Sequence, residues 1–271
     1  MKCPGKVFVV TGGGAGIGRA VVLELLARGA RVAAVDLNPE SLQETVKLAQ
    51  AGERLSTHTL NIIDRDAVAE LPGLMAAAHG PVDGLINVAG IIQPFVSVED
   101  LDLEVVERVM DVNFWGTLHT VKAILPGLRA RPEASVVNVI SMGALLPVPG
   151  QPAYGASKAA VRMLTEGLYA ELQGTAVRVT EVFPGAVRTE ISAHSGVELS
   201  GISAAEAKVT SPQEAARILV DAVEKKRFRV MIGNDARLFD LLARIAPRRG
   251  IAMIAKKMQG LLVQRTAAAG V

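Results

Sequence analysis

The stretch QPAYGASKAAV, residues 151–161, sets Tyr154 and Lys158 four positions apart among small residues. In a helix, positions i and i+4 share a face, so a phenol would stand beside an ammonium. A free phenol titrates at about 10 and is a poor base at neutral pH, but a neighbouring positive charge favours its ionised form. The pair could therefore pass a proton to or from an alcohol or carbonyl oxygen. An isolated YxxxK is as readily a Tyr and a Lys on an ordinary amphipathic helix, so its company decides. Ser141 ends the strand-like run SVVNVIS (135–141), where its hydroxyl could hold a substrate oxygen or simply cap the next turn. Asn113 stands inside the helix-period segment MDVNFWGTLHTV, an odd place for a poor helix former. Its amide either binds water at a helix distortion or is a satisfied interior group, and the residues alone leave both open.

A second constellation lies near the N-terminus. The apolar run KVFVVTG (6–12) leads into TGGGAGIGRAV, whose Gly12, Gly16 and Gly18 permit a tight turn, a close backbone approach to a pyrophosphate and packing of the following helix. The N-terminus of that helix offers free N–H groups to an anion. A second run, RVAAVDL (31–37), ends in Asp36 at the distance that the dinucleotide fingerprint requires. A carboxylate there accepts both ribose hydroxyls of NAD and repels the 2′-phosphate of NADP. No Arg or Lys occurs in the turn before Arg19, and Leu37 and Asn38 follow Asp36, so NAD is the expected nucleotide. Asn38, directly before Pro39, suits a helix N-cap better than Asp36 does.

These residues need a scaffold, and the periodicity supplies one. Continuous Val- and Ile-rich runs at 6–12, 31–37, 55–62, 82–90, 135–141, 177–185 and 228–233 read as strands buried on both faces. Helix-period segments at 16–29, 38–52, 103–129 and 153–174 alternate with them, and Gly29, Gly52 and Gly174 stand where C-terminal caps are expected. The alternation predicts an α/β single-domain Rossmann fold, a doubly wound parallel sheet of about seven strands with helices on both faces. Residues 1–235 form that expected domain, and 236–271 an amphipathic helical extension packed on it.

Composition narrows the function. The 271 residues carry a net charge of +2 spread along the chain and only 3% aromatics, which leaves few stacking platforms and argues against nucleic acid. His58, His79, His119 and His194 are scattered and Cys3 is the single cysteine, so no metal site and no disulfide framework are expected. The first apolar run is too short for a signal segment, and with the lone cysteine it fits a reducing, cytoplasmic compartment.

Taken together, these motifs strongly resemble the short-chain dehydrogenase/reductase family from about Lys6 to Gly233. TGGGAGIG is similar to its cofactor glycine motif, and NVAG (87–90) to its Asn-Asn-Ala-Gly motif with Val88 replacing the second Asn. Asn113, Ser141, Tyr154 and Lys158 match its catalytic tetrad, and PGAVRT (184–189) its nicotinamide-contacting segment. The resemblance implies an enzyme passing a hydride between NAD(H) and a secondary alcohol or ketone, without metal. Tyr154 would be the acid/base, Lys158 its partner and a ribose ligand, Ser141 the substrate-oxygen holder, and Asn113 the anchor of a proton-relay water. The implied cofactor contacts are Gly12, Gly14, Gly16, Ile17, Gly18, Asp36, Leu37, Asn61, Ile62, Asn87, Ala89, Gly90, Tyr154, Lys158, Pro184, Gly185, Val187 and Thr189. It also implies a homodimer or homotetramer built on the helices at 103–129 and 153–174.

Substrate choice is expected from 90–95, 141–152 and 191–209, with Ile91, Ile92, Met142, Leu145 and Val148 as apolar pocket residues, which suits a hydrophobic substrate. The basic, apolar tail (234–271) is either a helix pair covering the pocket or a neighbouring subunit, or a peripheral membrane contact; the former is preferred. A non-catalytic NAD-binding sensor on the same fold is the alternative function.

Overall fold

The structure, a computed structural model, describes residues 1–189, 191, 195 and 209–268, with side chains through residue 258. Seven parallel strands form one sheet in the order β3-β2-β1-β4-β5-β6-β7. They are β1 (Val7–Thr11), β2 (Arg31–Asp36), β3 (Leu55–Thr59), β4 (Gly84–Asn87), β5 (Ala134–Val139), β6 (Val177–Pro184) and β7 (Arg229–Ile232). Each of the seven apolar runs in the sequence matches one of them, with β5 starting one residue before its run.

Strand side chains alternate between faces, and here both faces are covered. Phe8, Val10, Val32 and Ala34 face a layer containing Val21 and Leu25 of α1 (Gly16–Ala27) and Leu219 and Val223 of α7 (Pro212–Glu224). Their neighbours Val9, Ala33 and Val35 face the opposite layer. That layer holds Leu71 of α3 (Arg65–His79), Ile124 of α5 (Gly116–Arg129) and Leu168 of α6 (Pro152–Glu171). Unbroken Val/Ile runs are the sequence record of this double burial.

Two expectations about the helices are corrected. The single helix expected over 103–129 is α4 (Leu103–Met110), a π turn (Asp111–Trp115) and α5, and Asn113 lies in the π turn. Helix α2 (Pro39–Ala49) stops at Gln50, which takes the left-handed conformation at φ 45°, and Gly52 instead opens a short 3₁₀ turn. Asn38 caps α2 by accepting from the Ser41 N–H at 2.7 Å, with Pro39 in the first turn. Helices α3 and α7 had not been singled out by periodicity.

The C-terminal segment forms α8 (Asn234–Ile245) and α9 (Pro247–Ala268). Arg229 on β7 fixes α8 to the sheet: it donates to the buried Glu181 of β6 at 2.6 Å and to Asp240 of α8 at 2.8 Å. Its guanidinium also stacks 4.5 Å from the centre of the Phe183 ring. Burial pushes the Glu181 carboxyl up while the Arg229 charge opposes that shift.

Candidate active site

The chain reverses its direction of travel across the sheet between β1 and β4, the switch point where doubly wound sheets bind ligands beyond the carboxyl ends of the strands. A cleft of 1060 Å³ opens there. Its floor begins with the glycine turn after β1. Gly12 holds φ +68°, and a Cβ on it would press on the backbone of Ala89, while a Cβ on Gly18 would overlap the Gly12 carbonyl. The turn, the start of α1 and the segment after β4 thus approach too closely for any side chain.

Asp36 ends β2 on the wall of this cleft. Its carboxylate accepts from the Gly14 N–H at 2.9 Å and from the Asn38 N–H at 3.1 Å. Arg19, the first cation after the glycine turn, is tied beneath it, donating to the Gly14 carbonyl at 2.8 Å and the Thr45 hydroxyl at 3.1 Å. Among the expected cofactor contacts, Gly12, Gly16, Ile17, Gly18, Leu37, Asn61, Ile62, Ala89, Gly90, Pro184, Gly185, Val187 and Thr189 all line the cleft. Two do not. Gly14 turns toward Asp36 and Ser41, where a Cβ would collide with both. Asn87 is buried, donating to Asn138 at 2.9 Å and accepting from Thr120 at 2.8 Å, so it braces the ends of β4 and β5.

Tyr154, Lys158 and Ser141 line the same cleft, on α6 and just after β5. Of the two readings of the Ser141 hydroxyl, the cap is present. The hydroxyl accepts from the Gly143 N–H at 3.1 Å, capping the 3₁₀ turn Met142–Ala144, and it hydrogen-bonds Tyr154. Lys158 is buried and donates to the Val139 carbonyl at 3.1 Å. Burial pushes the Tyr154 phenol up, opposed by the Ser141 hydrogen bond, and pushes the Lys158 ammonium down to about 8. This corrects the expectation that the ammonium would hold the phenol low. Desolvation favours the neutral form of each.

Asn113 is fully buried and lies behind the cleft wall. Its Oδ1 accepts from the Ile91 N–H at 2.8 Å, and its Nδ2 donates to the Ile91 carbonyl at 3.0 Å and the Ser157 hydroxyl at 2.9 Å. Its own carbonyl accepts from Thr117 at 2.8 Å. The Asn113 side chain is thus a satisfied interior amide at a helix distortion.

Sequence reasoning missed Gln93, which has no accessible surface. The N-cap position of α6, Gln151, offers no side-chain cap. Gln93 takes that role from across the cleft floor, its Oε1 accepting from the N–H groups of Ala153 at 2.7 Å and Tyr154 at 3.1 Å. Gln151 in turn donates to the Gln93 carbonyl at 2.6 Å. No local pattern announces a cap delivered from a distant loop; only the oddity of a glutamine between Ile92 and Pro94 hinted at it. Residues 90–93 therefore form a strap that holds Asn113 at one side and the Tyr154 helix at the other. Gly90 passes so close to Asn113 Oδ1 and Lys158 Nζ that a Cβ would stand 3.0 Å from each.

On the opposite lip, Asp235 of α8 accepts from the Ala186 N–H at 2.6 Å, fixing the Pro184–Ala186 turn. Of the apolar pocket residues, Ile91, Ile92, Met142 and Val148 line the cleft. Leu145 does not, and packs instead beside Ile140, Val161 and Phe183. Most of the expected substrate stretch 191–209 lies outside the described residues. No group of three metal-ligating side chains occurs among the described residues.

The sequence pattern of the family described as short chain dehydrogenase matches residues 6–199. The chain belongs to the short-chain dehydrogenase family. Its relatives include SadH of Mycobacterium tuberculosis, named as an oxidoreductase and 37% identical over 251 residues, 89% of this chain and 91% of that protein. The 3-oxoacyl-acyl-carrier-protein reductase FabG of Thermotoga maritima is 34% identical over 193 residues, 71% of this chain and 78% of its own. A short chain dehydrogenase from Burkholderia cenocepacia, in complex with NADP, matches with a TM-score of 0.79 at 28% identity, covering 94% of this chain and 99% of that one. Another from Burkholderia phymatum, in complex with NAD, gives 0.77 at 25% identity, covering 85% and 90%. This short-chain dehydrogenase is thus an oxidoreductase by family.

Two outcomes follow from the geometry. Gln93→Leu leaves two buried N–H groups of α6 without an acceptor, which should cost roughly 1–3 kcal/mol in urea unfolding. Lys158 contributes a pH-dependent cost: its ammonium is disfavoured in the fold below about 8, while the unfolded chain keeps the proton up to the ordinary value of 10.5. The unfolded state therefore binds more protons between those values, and stability rises with pH across that window. Lys158→Met should raise the melting temperature at pH 7 by several degrees, and this advantage should shrink as the pH climbs through the window.

Proposed function

We propose that this protein is an NAD(H)-dependent dehydrogenase or ketone reductase acting on a hydrophobic secondary alcohol or ketone. The observation that carries the reading is the convergence of Tyr154, Lys158 and Ser141 on the cleft that also holds the glycine turn and Asp36. The residues fit a nicotinamide dinucleotide. The turn around Gly12, Gly16, Ile17 and Gly18 leaves backbone room for a pyrophosphate, Asp36 offers a carboxylate to a ribose, and Leu37, Asn61 and Ile62 wall the adenine end. Ala89, Gly90, Pro184, Gly185, Val187 and Thr189 surround the nicotinamide end. Among the described residues no Arg or Lys stands beside Asp36 on the cleft wall, which favours NAD over NADP.

When bound, the nicotinamide supplies or accepts the hydride. The protein supplies the rest. Ser141 holds the substrate oxygen beside Tyr154, and Tyr154 donates a proton to that oxygen in reduction or takes one from it in oxidation. Burial keeps the resting Tyr154 a phenol, so the proton needed for carbonyl reduction is already in place. Lys158 stands one turn along α6, near Gly90, where it can reach a ribose hydroxyl and offer its charge to the phenolate once Tyr154 has given up its proton. Asn113 acts through the strap, holding Ile91 and Ser157 rather than facing the substrate.

The cleft lining also speaks to the substrate. Ile91, Ile92, Phe95, Met142 and Val148 present apolar surface, while Glu104, Glu107 and Asp111 of α4 and the π turn add carboxylates beside Arg108. Such a lining repels polyanionic carriers and suits a neutral, hydrophobic compound.

Tyr154→Phe should lower turnover by roughly 10²- to 10⁴-fold while NADH binding, followed by fluorescence titration, stays close to the native value. Full activity in that variant would overturn the assignment, and tight NADH binding without turnover across a broad alcohol and ketone panel would favour a cofactor sensor. Asp36→Ala should weaken NADH binding by roughly tenfold or more and narrow the preference over NADPH. A native protein that already prefers NADPH would refute the role given to Asp36.

A further inference from the structure

Helix α8 carries a face that nothing among the described residues covers. Leu238, Leu241 and Ile245 are 46%, 52% and 69% exposed. At about 100° per residue they fall within about 60° of one another on the helix wheel. Arg237 and Arg244 stand along one edge of this stripe, both exposed. The orientation is fixed from behind: Ala236 is buried, Asp235 reaches the Ala186 N–H, and Asp240 reaches Arg229. The start of α9 continues the pattern, with Ile251 and Met253 at 43% and 44% exposure among Arg248, Arg249, Lys256 and Lys257, all exposed.

The charge distribution is one-sided. Both acidic residues of this 234–258 segment, Asp235 and Asp240, are engaged toward the body of the protein, and Arg244 shares Asp240 at 3.2 Å. Arg237, Arg248, Arg249, Lys256 and Lys257 pair with no carboxylate among the described residues. The outward surface is therefore apolar and cationic, without an exposed acidic residue to complement it. Each leucine or isoleucine left in water costs free energy that burial would recover. No helix among the described residues is long and apolar enough to cross a membrane, so such a face would lie along an interface rather than enter it.

We propose that the outer face of α8 and the first turns of α9 dock on an anionic lipid surface. The apolar stripe would enter the headgroup boundary, and the flanking Arg and Lys side chains would meet lipid phosphates. The position is suited to an enzyme with an apolar pocket. Gly250 of α9 packs against Leu146, which follows the Met142–Ala144 turn, and Met142 and Gly143 of that turn line the cleft. The lipid-facing helices thus lie directly behind one wall of the site.

The test is co-sedimentation of the full chain with phosphatidylcholine vesicles, with and without phosphatidylglycerol. Binding is expected only to the anionic vesicles and should fall as salt is raised. Leu241→Glu/Ile245→Glu and Arg248→Glu/Arg249→Glu should each weaken it by roughly tenfold or more, with melting temperatures near native because none of the four side chains is buried. Equal sedimentation of native and variant chains, or no binding to anionic vesicles, would overturn the proposal. So would a native oligomer that Leu241→Glu/Ile245→Glu dissociates in size-exclusion chromatography with light scattering, since a second copy would then be what covers the stripe. Vesicle binding is read without turnover, so its failure leaves the dehydrogenase assignment untouched.

Discussion

Two buried amides hold the reactive groups in register. Asn113 clamps both backbone polar groups of Ile91, and Gln93 accepts from the first free N–H groups of α6. Between them runs a strap of four residues leaving β4. Its hydrogen bonds form in the interior, where a lost partner is expensive, so the strap has little freedom to drift. The consequence is positional: the π turn, the end of β4 and the start of α6 move as one body, and Tyr154 and Lys158 are delivered to the cleft by that body.

The same burial that makes the strap rigid sets the acid–base character of the site. A low-dielectric wall disfavours charge, raising the phenol and lowering the ammonium. From ordinary values of 10.0 and 10.5 the two shifts carry the proton affinities apart, so the phenol keeps its proton to higher pH than the ammonium does.

Much of this was legible in the sequence. Continuous Val and Ile runs located seven strands because parallel strands buried on both faces leave no polar alternation to misread. The glycine turn, Asp36, Ser141, Tyr154 and Lys158 were found because each stands at a strand end or helix start that the periodicity had already placed. The failures have a common physical origin in contacts distant along the chain. The role of Gln93 depends on a helix that begins 59 residues later, at Pro152, and Asn87 was assigned to the cleft although Asn138 and Thr120 enclose it. Leu145 is apolar like its neighbours, and only the path of the 3₁₀ turn directs it away from the cleft. The long helix was misread as continuous because a π turn inserts without disturbing the apolar spacing on either side, although Asn113 marked the spot. The shift of the Tyr154 phenol had the wrong sign because charge proximity can be inferred from spacing, whereas desolvation depends on the whole surrounding fold.

The strap has a further consequence for anyone who would reshape this pocket. Ile91 and Ile92 face the cleft, yet they lie on the backbone whose hydrogen bonds position Tyr154. A bulkier or smaller residue there alters the cavity and the chemistry together. Met142 and Val148 border the same space from the β5–α6 turn, where the nearest amide contact is Gln93 Nε2 donating to the Gly150 carbonyl at 3.2 Å. Substrate range should therefore evolve, or be engineered, mainly from the β5–α6 side, with the β4 side kept nearly constant.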